Sequence, residues 1–215
     1  MEIFPLGHSS FRIKGKTVTV VCDPFDSSFV GFSFPKHISA NIVTVSHNHE
    51  DHNAVSLVEG NPYKVEGPGE YEVSGVGIIG IASYHDGSKG SVRGGNTMYH
   101  MEIDGVNVVH LGDLGCTLTS DDIERLDGVD ILFVPVGGKT TLDPNQAANI
   151  ISELEPSIVI PMHYKTNRHD EKAFGDLLPV SSFLDVMGKK DVTPVPKLSV
   201  TKDKLPTEMQ VVILE

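Results

Sequence analysis

Three histidines and one aspartate occur within six consecutive residues, in the pattern H-x-H-x-D-H. The pattern consists of His47, His49, Asp51 and His52. Imidazole nitrogens and carboxylate oxygens are the ligands with which proteins bind Zn²⁺ and neighbouring first-row metals. In an extended segment His47 and His49 point to the same side and can bind one metal ion together. The adjacent Asp51 and His52 must diverge and suit a second ion, so the motif predicts a two-metal site rather than a solvated histidine-rich loop.

Two metal ions need about seven protein ligands, one of them preferably a carboxylate that bridges the ions. Three residues farther along the chain each follow an apolar run typical of a buried strand, at the position where that strand would end. They are His85, Asp113 and His163. A single histidine at a strand end is usually just a hydrogen-bonded polar residue. Together with the motif, however, these three complete the set, so we predict that they are the remaining ligands.

Hydrophobic patterning predicts the elements that must carry these residues. The apolar, β-branched run Asn41–Ser46 leads directly into the motif and predicts a buried strand. Further strands are predicted over Ser10–Lys14, Lys16–Cys22, Thr97–Ile103, Asn107–Leu111, Asp130–Val136, Ser157–Pro161, Lys197–Thr201 and Gln210–Leu214, with a Gly-rich strand region over 67–82. Capping residues and prolines predict helices over Asp121–Leu126, Pro144–Glu155, Asp170–Leu178, and from Ser181 or Ser182 to about Gly188. This mixture predicts an α/β or α+β fold in which helices cover sheets.

Composition restricts the class of protein. The chain has 215 residues of one compositional texture, which predicts a single domain over residues 1–215 with a sizeable core. A net charge of −12 without a cluster of Lys or Arg argues against an extended nucleic-acid partner. No apolar run reaches membrane-spanning length, and no signal peptide is visible. Cys22 and Cys116 are too far apart to suggest a disulfide framework, so a reduced, cytoplasmic location is predicted.

The motif and the downstream residues together resemble the metallo-β-lactamase superfamily over nearly the full length of the chain. The resemblance implies a four-layer αββα sandwich with the metals at one edge of its two sheets. It implies that a first metal is bound by His47, His49 and His85 and a second metal by Asp51, His52 and His163. It also implies that Asp113 bridges the two. Four segments resemble in particular the L-ascorbate-6-phosphate-lactonase-like branch of metal-dependent hydrolases: Gly7–Phe11, His110–Asp113, Pro135–Gly138 and Pro161–Tyr164.

This ligand set favours hydrolysis. Two divalent ions, partly neutralised by Asp51, Asp113 and a bridging hydroxide, keep a net positive charge that attracts anionic or carbonyl-bearing substrates. Metal binding lowers the pKa of water toward about 7, so hydroxide is available at neutral pH. We predict attack on a small lactone, ester or phosphorylated compound, with Asp51 orienting the nucleophile and accepting its proton. Zn²⁺ suits five imidazoles and two carboxylates, and Mn²⁺ and Fe²⁺ accept the same ligands.

Three other functions remain open from the sequence. A phosphodiesterase acting on a nucleotide or a short RNA would use the same ligands, although the acidic net charge counts against it. Di-iron redox chemistry is disfavoured because relatives with that activity tend to replace a histidine of the motif, and His49 is retained here. A non-catalytic metal-binding protein is disfavoured because all seven ligand positions are retained.

Other polar residues are candidates for supporting the ligands. Asp23 matches a family aspartate that ends an early strand, and it would accept the free N–H of a ligand imidazole. His8 and His110 are either orienting or proton-transfer groups near the metals, or simply buried, hydrogen-bonded histidines. The sequence assigns no role to His37, His100 and His169.

Four residues are candidates for contact with the substrate. Arg93 and Asn96 lie in the Gly-rich segment 86–96, which is either a mobile lid over the site or an ordinary solvated loop. Tyr164 and Lys165 directly follow the last ligand and are predicted to line the pocket, where Lys165 would suit a phosphate or carboxylate.

Overall fold

Two β-sheets packed face to face form the centre of the structure, a computed structural model that describes residues 1–215. The strands are β1 (Glu2–Gly7), β2 (Ser10–Lys14), β3 (Thr19–Cys22), β4 (Ile42–Val45), β5 (Tyr63–Glu66), β6 (Gly69–Val73), β7 (Val76–Tyr84), β8 (Gly95–Ile103), β9 (Val106–His110), β10 (Ile131–Pro135), β11 (Ile158–Met162), β12 (Leu198–Ser199) and β13 (Gln210–Val211). The helices are α1 (Ser27–Val30), α2 (Ser120–Arg125), α3 (Pro144–Leu154), α4 (Glu171–Phe174) and α5 (Val180–Val186). One sheet has six strands in the order β12-β1-β2-β3-β4-β5, and the other has seven in the order β13-β11-β10-β9-β8-β7-β6.

Buried apolar side chains fill three layers. The largest core lies between the two sheets and includes the rings of Phe11 in β2 and Phe133 in β10, whose centroids are 4.4 Å apart. A second core lies between the seven-stranded sheet and the helices α3 and α5. A third covers the outer face of the six-stranded sheet with residues of α1, α4 and the segment 32–40. The order helix, sheet, sheet, helix confirms the predicted four-layer αββα sandwich.

Helix α3 forms where the sequence predicts it, because its ends carry strong local signals. The Asp143 side chain accepts the N–H groups of Asn145 and Gln146, and the Gln146 side chain accepts the backbone N–H of Asp143. Pro144 occupies the first turn, where no N–H is needed. The buried residues lie on one face at helical spacing: Ala147, Ile150, Ile151 and Leu154.

The strand directions place several strand ends together. β3 and β4 are parallel, so their carboxyl ends lie at the same edge of the six-stranded sheet. β9, β10 and β11 are also parallel to one another. β7 and β9 are both antiparallel to β8, so β7 runs in the same direction as β9. The carboxyl ends of β7, β9 and β11 therefore share one edge of the seven-stranded sheet.

Several element boundaries differ from the sequence prediction. The strand predicted from Lys16 begins only at Thr19, because the Gly15 N–H donates to the Val18 carbonyl and closes a turn. The helix predicted over 170–178 ends at Phe174. The strands β1 and β5 were not predicted: β1 contains Pro5 and an irregular register, and β5 is a short edge strand with a single buried residue. The hairpin turn at Asp104-Gly105 is as predicted, and both residues have positive φ.

The longest helix has 11 residues, and no helix has the length and apolarity that crossing a bilayer requires. The cysteines are both free: Cys22 is buried between the sheets, and Cys116 is partly exposed.

Candidate metal centre

The seven predicted ligands meet at the edge where β4, β7, β9 and β11 end. The motif occupies the loop after β4, and each of the other ligands follows its strand within three residues: His85, Asp113 and His163. The site is buried, and Asp113 and His163 are only 1% and 3% exposed. Burial strengthens the electrostatic interactions among these side chains, because little water screens them.

Three imidazoles form one group. The ligand atoms of His47, His49 and His85 all lie within 4.8 Å of one another. His47 Nε2 is 2.9 Å from His49 Nδ1. A set of three imidazole nitrogens at this spacing is typical of a catalytic zinc site with an open position.

A second group lies beside the first. The ligand atoms of Asp51, His52 and His163 also lie within 4.8 Å of one another, together with His8. Asp51 and His52 follow the motif's first two histidines, so the short motif contributes to both groups. Residues 46–52 do this through bends and turns, and not through the extended segment that the sequence predicts.

Asp113 lies between the two groups. Its Oδ2 is 3.1 Å from His85 Nε2 and 3.1 Å from His163 Nε2. Its Oδ1 is 3.2 Å from His52 Nε2. The carboxylate therefore contacts a member of the first group and two members of the second, which is the position that a bridging ligand needs.

Unpartnered polar atoms show that these residues fit a metal. His52 Nε2 and Asp113 Oδ1 are buried and face each other at 3.2 Å, and neither forms a hydrogen bond with any other group. Buried polar groups are nearly always paired, and leaving one unpaired costs about 1–3 kcal/mol. A cation between the imidazole nitrogens and the carboxylate oxygens would pair these atoms.

The free nitrogens of the ligand imidazoles are held by neighbouring groups. Asp23 Oδ2 is 2.7 Å from His52 Nδ1 and also accepts the hydroxyl of Ser46 at 2.6 Å. Since that hydroxyl donates to Asp23, its oxygen accepts from His47 Nδ1 at 2.9 Å. His85 Nδ1 is 3.1 Å from the Thr140 carbonyl oxygen. In all three rings Nδ1 carries the proton, and Nε2 is left free for a metal.

One glycine is required for the strand ends to approach so closely. Gly112 follows β9 with φ +57°, and an added Cβ would lie 2.4 Å from Asn96 Oδ1 and 2.6 Å from the Ser46 Cβ. Any other residue would push the loop that carries Asp113 away from the loop that carries the motif.

The metal-free cluster keeps protons on some of its histidines. Burial lowers the pKa of His47 to about 3, so that ring is neutral. Burial also disfavours the charged form of His52, but the carboxylates of Asp113, Asp51 and Asp23 outweigh this and raise its pKa well above the usual value. His85 behaves in the same way, because its bond to Asp113 outweighs burial and raises its pKa. A proton on His52 thus occupies the place of a metal between the carboxylates.

Metal binding should therefore release protons at neutral pH. The raised pKa values of His52 and His85 mean that a proton must leave before these nitrogens bind a cation. We expect zinc binding at pH 7 to release protons from these rings. The apparent zinc affinity should rise with pH until the pKa values of these two rings are passed.

Calorimetric titration in buffers of different ionisation enthalpy measures this release. His37→Ala, which removes an exposed histidine paired only with Glu59, should leave the number of released protons unchanged. An apparent binding enthalpy that is the same in every buffer would contradict the prediction.

Asn96 and His110, two of the predicted site residues, hold the backbone near the ligands. The Asn96 side chain is only 3% exposed. It accepts the Asp113 N–H at 2.9 Å and donates to the Leu111 carbonyl at 2.9 Å, so it holds the ends of neighbouring strands together. His110 is fully buried: its Nε2 is 2.9 Å from the Ser9 carbonyl oxygen, and its Nδ1 accepts the Gly112 N–H. Both side chains use their polar atoms on backbone groups.

The segment 86–96 is organised around its first residue. The Asp86 carboxylate accepts the backbone N–H groups of Ser88, Gly90, Val92 and Arg93. These four bonds lower the pKa of the Asp86 carboxyl, and the bond from Arg93 contributes most. The aspartate thus caps its own loop.

A cavity of about 440 Å³ opens in front of the ligands. Two cationic side chains, Arg93 and Lys139, line it, and an apolar wall faces it: Phe29, Phe174 and Leu177. Lys139 was not predicted from the sequence, although the Gly137-Gly138 pair after β10 signals a tight turn that could have drawn attention to it. Tyr164 lines a separate cavity of about 350 Å³, and Lys165 pairs with Glu171 at 2.6 Å. Neither of these two residues lines the cavity at the ligands.

Comparisons with known proteins agree with this geometry. The model of the β-lactamase superfamily domain matches residues 2–163, which include all seven predicted ligands. A UPF0173 metal-dependent hydrolase from Thermococcus onnurineus is 32% identical over 190 residues, which cover 75% of this chain and 83% of that protein.

Solved structures show the same fold. A crystal structure from Thermotoga maritima, assigned as a Zn-dependent hydrolase of the metallo-β-lactamase superfamily, is 35% identical and superposes with a TM-score of 0.81, covering 100% of this chain and 98% of that one. A structure from Parabacteroides distasonis, assigned as a metal-dependent hydrolase, has a TM-score of 0.68 at 18% identity and covers 99% and 93% of the two chains, so it shows the fold alone. With the family match, the relatives and the converging ligands taken together, the chain belongs to the metallo-β-lactamase superfamily and to its metal-dependent hydrolases.

Proposed function

We propose that this metal-dependent hydrolase works with two metal ions, most simply Zn²⁺, and cleaves a small anionic lactone, ester or phosphorylated compound. The observation that carries the proposal is the position of Asp113, whose two oxygens face imidazoles of both ligand groups. The first metal would be held by His47, His49 and His85, and the second by Asp51, His52 and His163. The Zn-dependent assignment of the Thermotoga maritima relative supports zinc.

The metals would supply an activated water and would polarise the substrate oxygen. The chain itself supplies the base. Burial raises the pKa of the Asp51 carboxyl, but His52 and the bond to His8 outweigh this and lower it. Asp51 is therefore ionised at neutral pH and lines the cavity, so it can orient the attacking water and accept its proton.

The cavity supports a small anionic substrate. Arg93 would attract a carboxylate or phosphate, and Lys139, which also pairs with Asp176 at 3.4 Å, would add positive charge. Phe29, Phe174 and Leu177 would pack against an apolar portion. The acidic chain offers no cluster of basic residues for a longer polyanion. Its two free cysteines support a reducing, cytoplasmic location.

A hydrolase panel tests the proposal. Protein reconstituted separately with Zn²⁺ and Mn²⁺ is assayed against lactones, esters, thioesters and phosphodiesters, each as an anionic and a neutral member. We expect turnover of an anionic lactone, ester or phosphorylated member, and a fall of about 10²–10⁴-fold in Asp51→Asn, because the proton acceptor is lost.

Glu153→Gln is the matched control, because it removes an exposed carboxylate from α3, far from the ligands. Metal content is measured on every sample. Near-wild-type turnover by Asp51→Asn with both metals bound would show that Asp51 is not the base. Turnover confined to phosphodiesters, with an affinity for oligonucleotides that falls steeply with salt, would favour the phosphodiesterase alternative.

A further inference from the structure

A chain of two histidines runs from the loop after β11 to Asp51. His169 Nε2 is 3.1 Å from His8 Nδ1, and His8 Nε2 is 3.3 Å from Asp51 Oδ2. His8 is fully buried at its side chain, and His169 is 7% exposed. Neither ring belongs to the seven proposed ligands, so the metal site does not by itself explain why two buried imidazoles lie in line behind one of its carboxylates.

The contacts of His169 determine the direction of the hydrogen bonds between these side chains. His169 Nδ1 lies 3.1 Å from the backbone nitrogen of Thr166, whose N–H can only donate, and 2.9 Å from the Thr166 hydroxyl, which can donate to the same nitrogen. A neutral imidazole accepts at one nitrogen and donates at the other. His169 therefore accepts at Nδ1 and carries its proton on Nε2, and it donates that proton to His8 Nδ1. His8 in turn must carry its proton on Nε2 and donate it to Asp51 Oδ2.

The surroundings keep His169 neutral, so one of its nitrogens accepts a hydrogen bond while the other donates one. Burial lowers the pKa of His169 to about 3, and its ring packs edge-on against the ring of Phe32 and at a tilt against the ring of Phe174. No carboxylate contacts either of its nitrogens, which bond to Thr166 and His8 alone.

A strained turn delivers His8 to this position. His8 has φ +55° at the tip of the β1–β2 hairpin, a conformation that a non-glycine residue adopts only when its surroundings enforce it. The preceding Gly7 has φ +114°, and an added Cβ would lie 2.6 Å from the ring of Phe32. The His8 ring packs 4.3 Å from the ring of His163. The fold thus maintains an unfavourable backbone conformation, which places the imidazole beside Asp51.

We propose that His169 and His8 are positioning residues: their fixed hydrogen bonds anchor the Asp51 carboxylate at Oδ2 and so hold it in place beside His52 and His163. The proposal rests on the role of Asp51 in the proposed function. The direction of the bonds has a second consequence. While the bonds keep this direction, His8 Nε2 already carries a proton, so a proton accepted by Asp51 does not pass outward through the two rings. The proton leaves through the cavity instead, so the two histidines orient Asp51 and do not transfer protons.

Histidine tautomers test the proposal without any turnover. Two-bond ¹H–¹⁵N correlation spectra of the ¹⁵N-labelled full chain distinguish Nδ1–H from Nε2–H rings, and single variants assign the signals of His8 and His169. We expect both rings to be neutral Nε2–H tautomers, in the metal-free and the zinc-loaded protein. A neutral Nδ1–H ring at either position would overturn the proposal.

Zinc affinity gives the second measurement, by competition with a chromophoric chelator. We expect His169→Ala to weaken one of the two zinc-binding steps by about 10–100-fold and to leave the other unchanged. His169→Gln should restore most of the loss, because an amide can accept from Thr166 and donate to His8. His37→Ala, at an exposed histidine, is the control and should bind zinc as the wild type does.

Wild-type affinity in His169→Ala, or a loss that glutamine does not restore, would overturn the positioning role. These outcomes are separate from failure of the proposed function. A protein that binds zinc with the expected tautomers but hydrolyses nothing in the panel would refute the proposed substrate class while leaving the positioning role in place. A wild type that binds a single zinc ion would refute the two-metal site and, with it, the assignment of a second metal to Asp51.

Discussion

Asp113→Asn is expected to abolish hydrolysis and to remove at least one of two bound zinc ions. Asp113 is the carboxylate that contacts His85, His163 and His52 together, and an asparagine keeps its shape but not its charge. We expect the rate to fall by at least about 10³-fold, which corresponds to about 4 kcal/mol of transition-state stabilisation. Zinc content by inductively coupled plasma spectrometry, on the same sample as the assay, should fall from two ions to one or none.

Asp130→Asn is a suitable control for this variant. Asp130 is also buried, 8% exposed, but it pairs with Lys202 and the Asn107 N–H, away from the ligand edge. It should lose some stability and keep both metals. Two bound zinc ions and near-wild-type turnover in Asp113→Asn would mean that the two ligand groups do not share this carboxylate.

The second large effect is expected at Asp23. Asp23→Ala leaves His52 Nδ1 and the Ser46 N–H without their acceptor inside the protein. Each buried unpaired group costs about 1–3 kcal/mol, so we expect the metal-free protein to lose about 3 kcal/mol of unfolding free energy. Because His52 would also lose the bond that holds its orientation, zinc affinity should fall by about 10–100-fold.

Urea unfolding in the presence of a chelator and chelator competition for zinc measure the two effects separately. Asp26→Ala is the matched control: it removes an exposed aspartate, three positions along the chain, that caps α1. Loss of that cap should cost about 1 kcal/mol and leave zinc affinity unchanged. If Asp23→Ala binds zinc as tightly as Asp26→Ala, then Asp23 does not orient His52.

The ligand candidates could be predicted because each has a local signal. Four of the candidates lie within the six-residue motif His47–His52, so they can be recognised without reference to the rest of the chain. His85 and His163 directly follow apolar strands, and parallel strands end at a common edge. Helix α3 could be predicted for a similar reason, since its capping residues and buried face lie within one short segment.

The residues that the sequence did not identify depend on long-range contacts. Lys139 reaches the cavity only because the turn after β10 lies beside the ligands. His169 has no local pattern, and its partner His8 is 161 residues away along the chain. Asn96 was predicted to contact the substrate, but the structure uses its amide to hold the Asp113 backbone.

The sequence by itself therefore determined the metal-ligand candidates, the α3 helix and the mixture of sheets and covering helices, because hydrophobic periodicity, capping and short motif spacing act over a few residues. The four-layer order followed from the resemblance to a known superfamily. Only the tertiary structure decided which groups contact Asp113, which imidazole nitrogens are free, and that two histidines stand behind Asp51. These features arise where the two sheets and their loops meet, and the distance between such side chains depends on how the whole core packs.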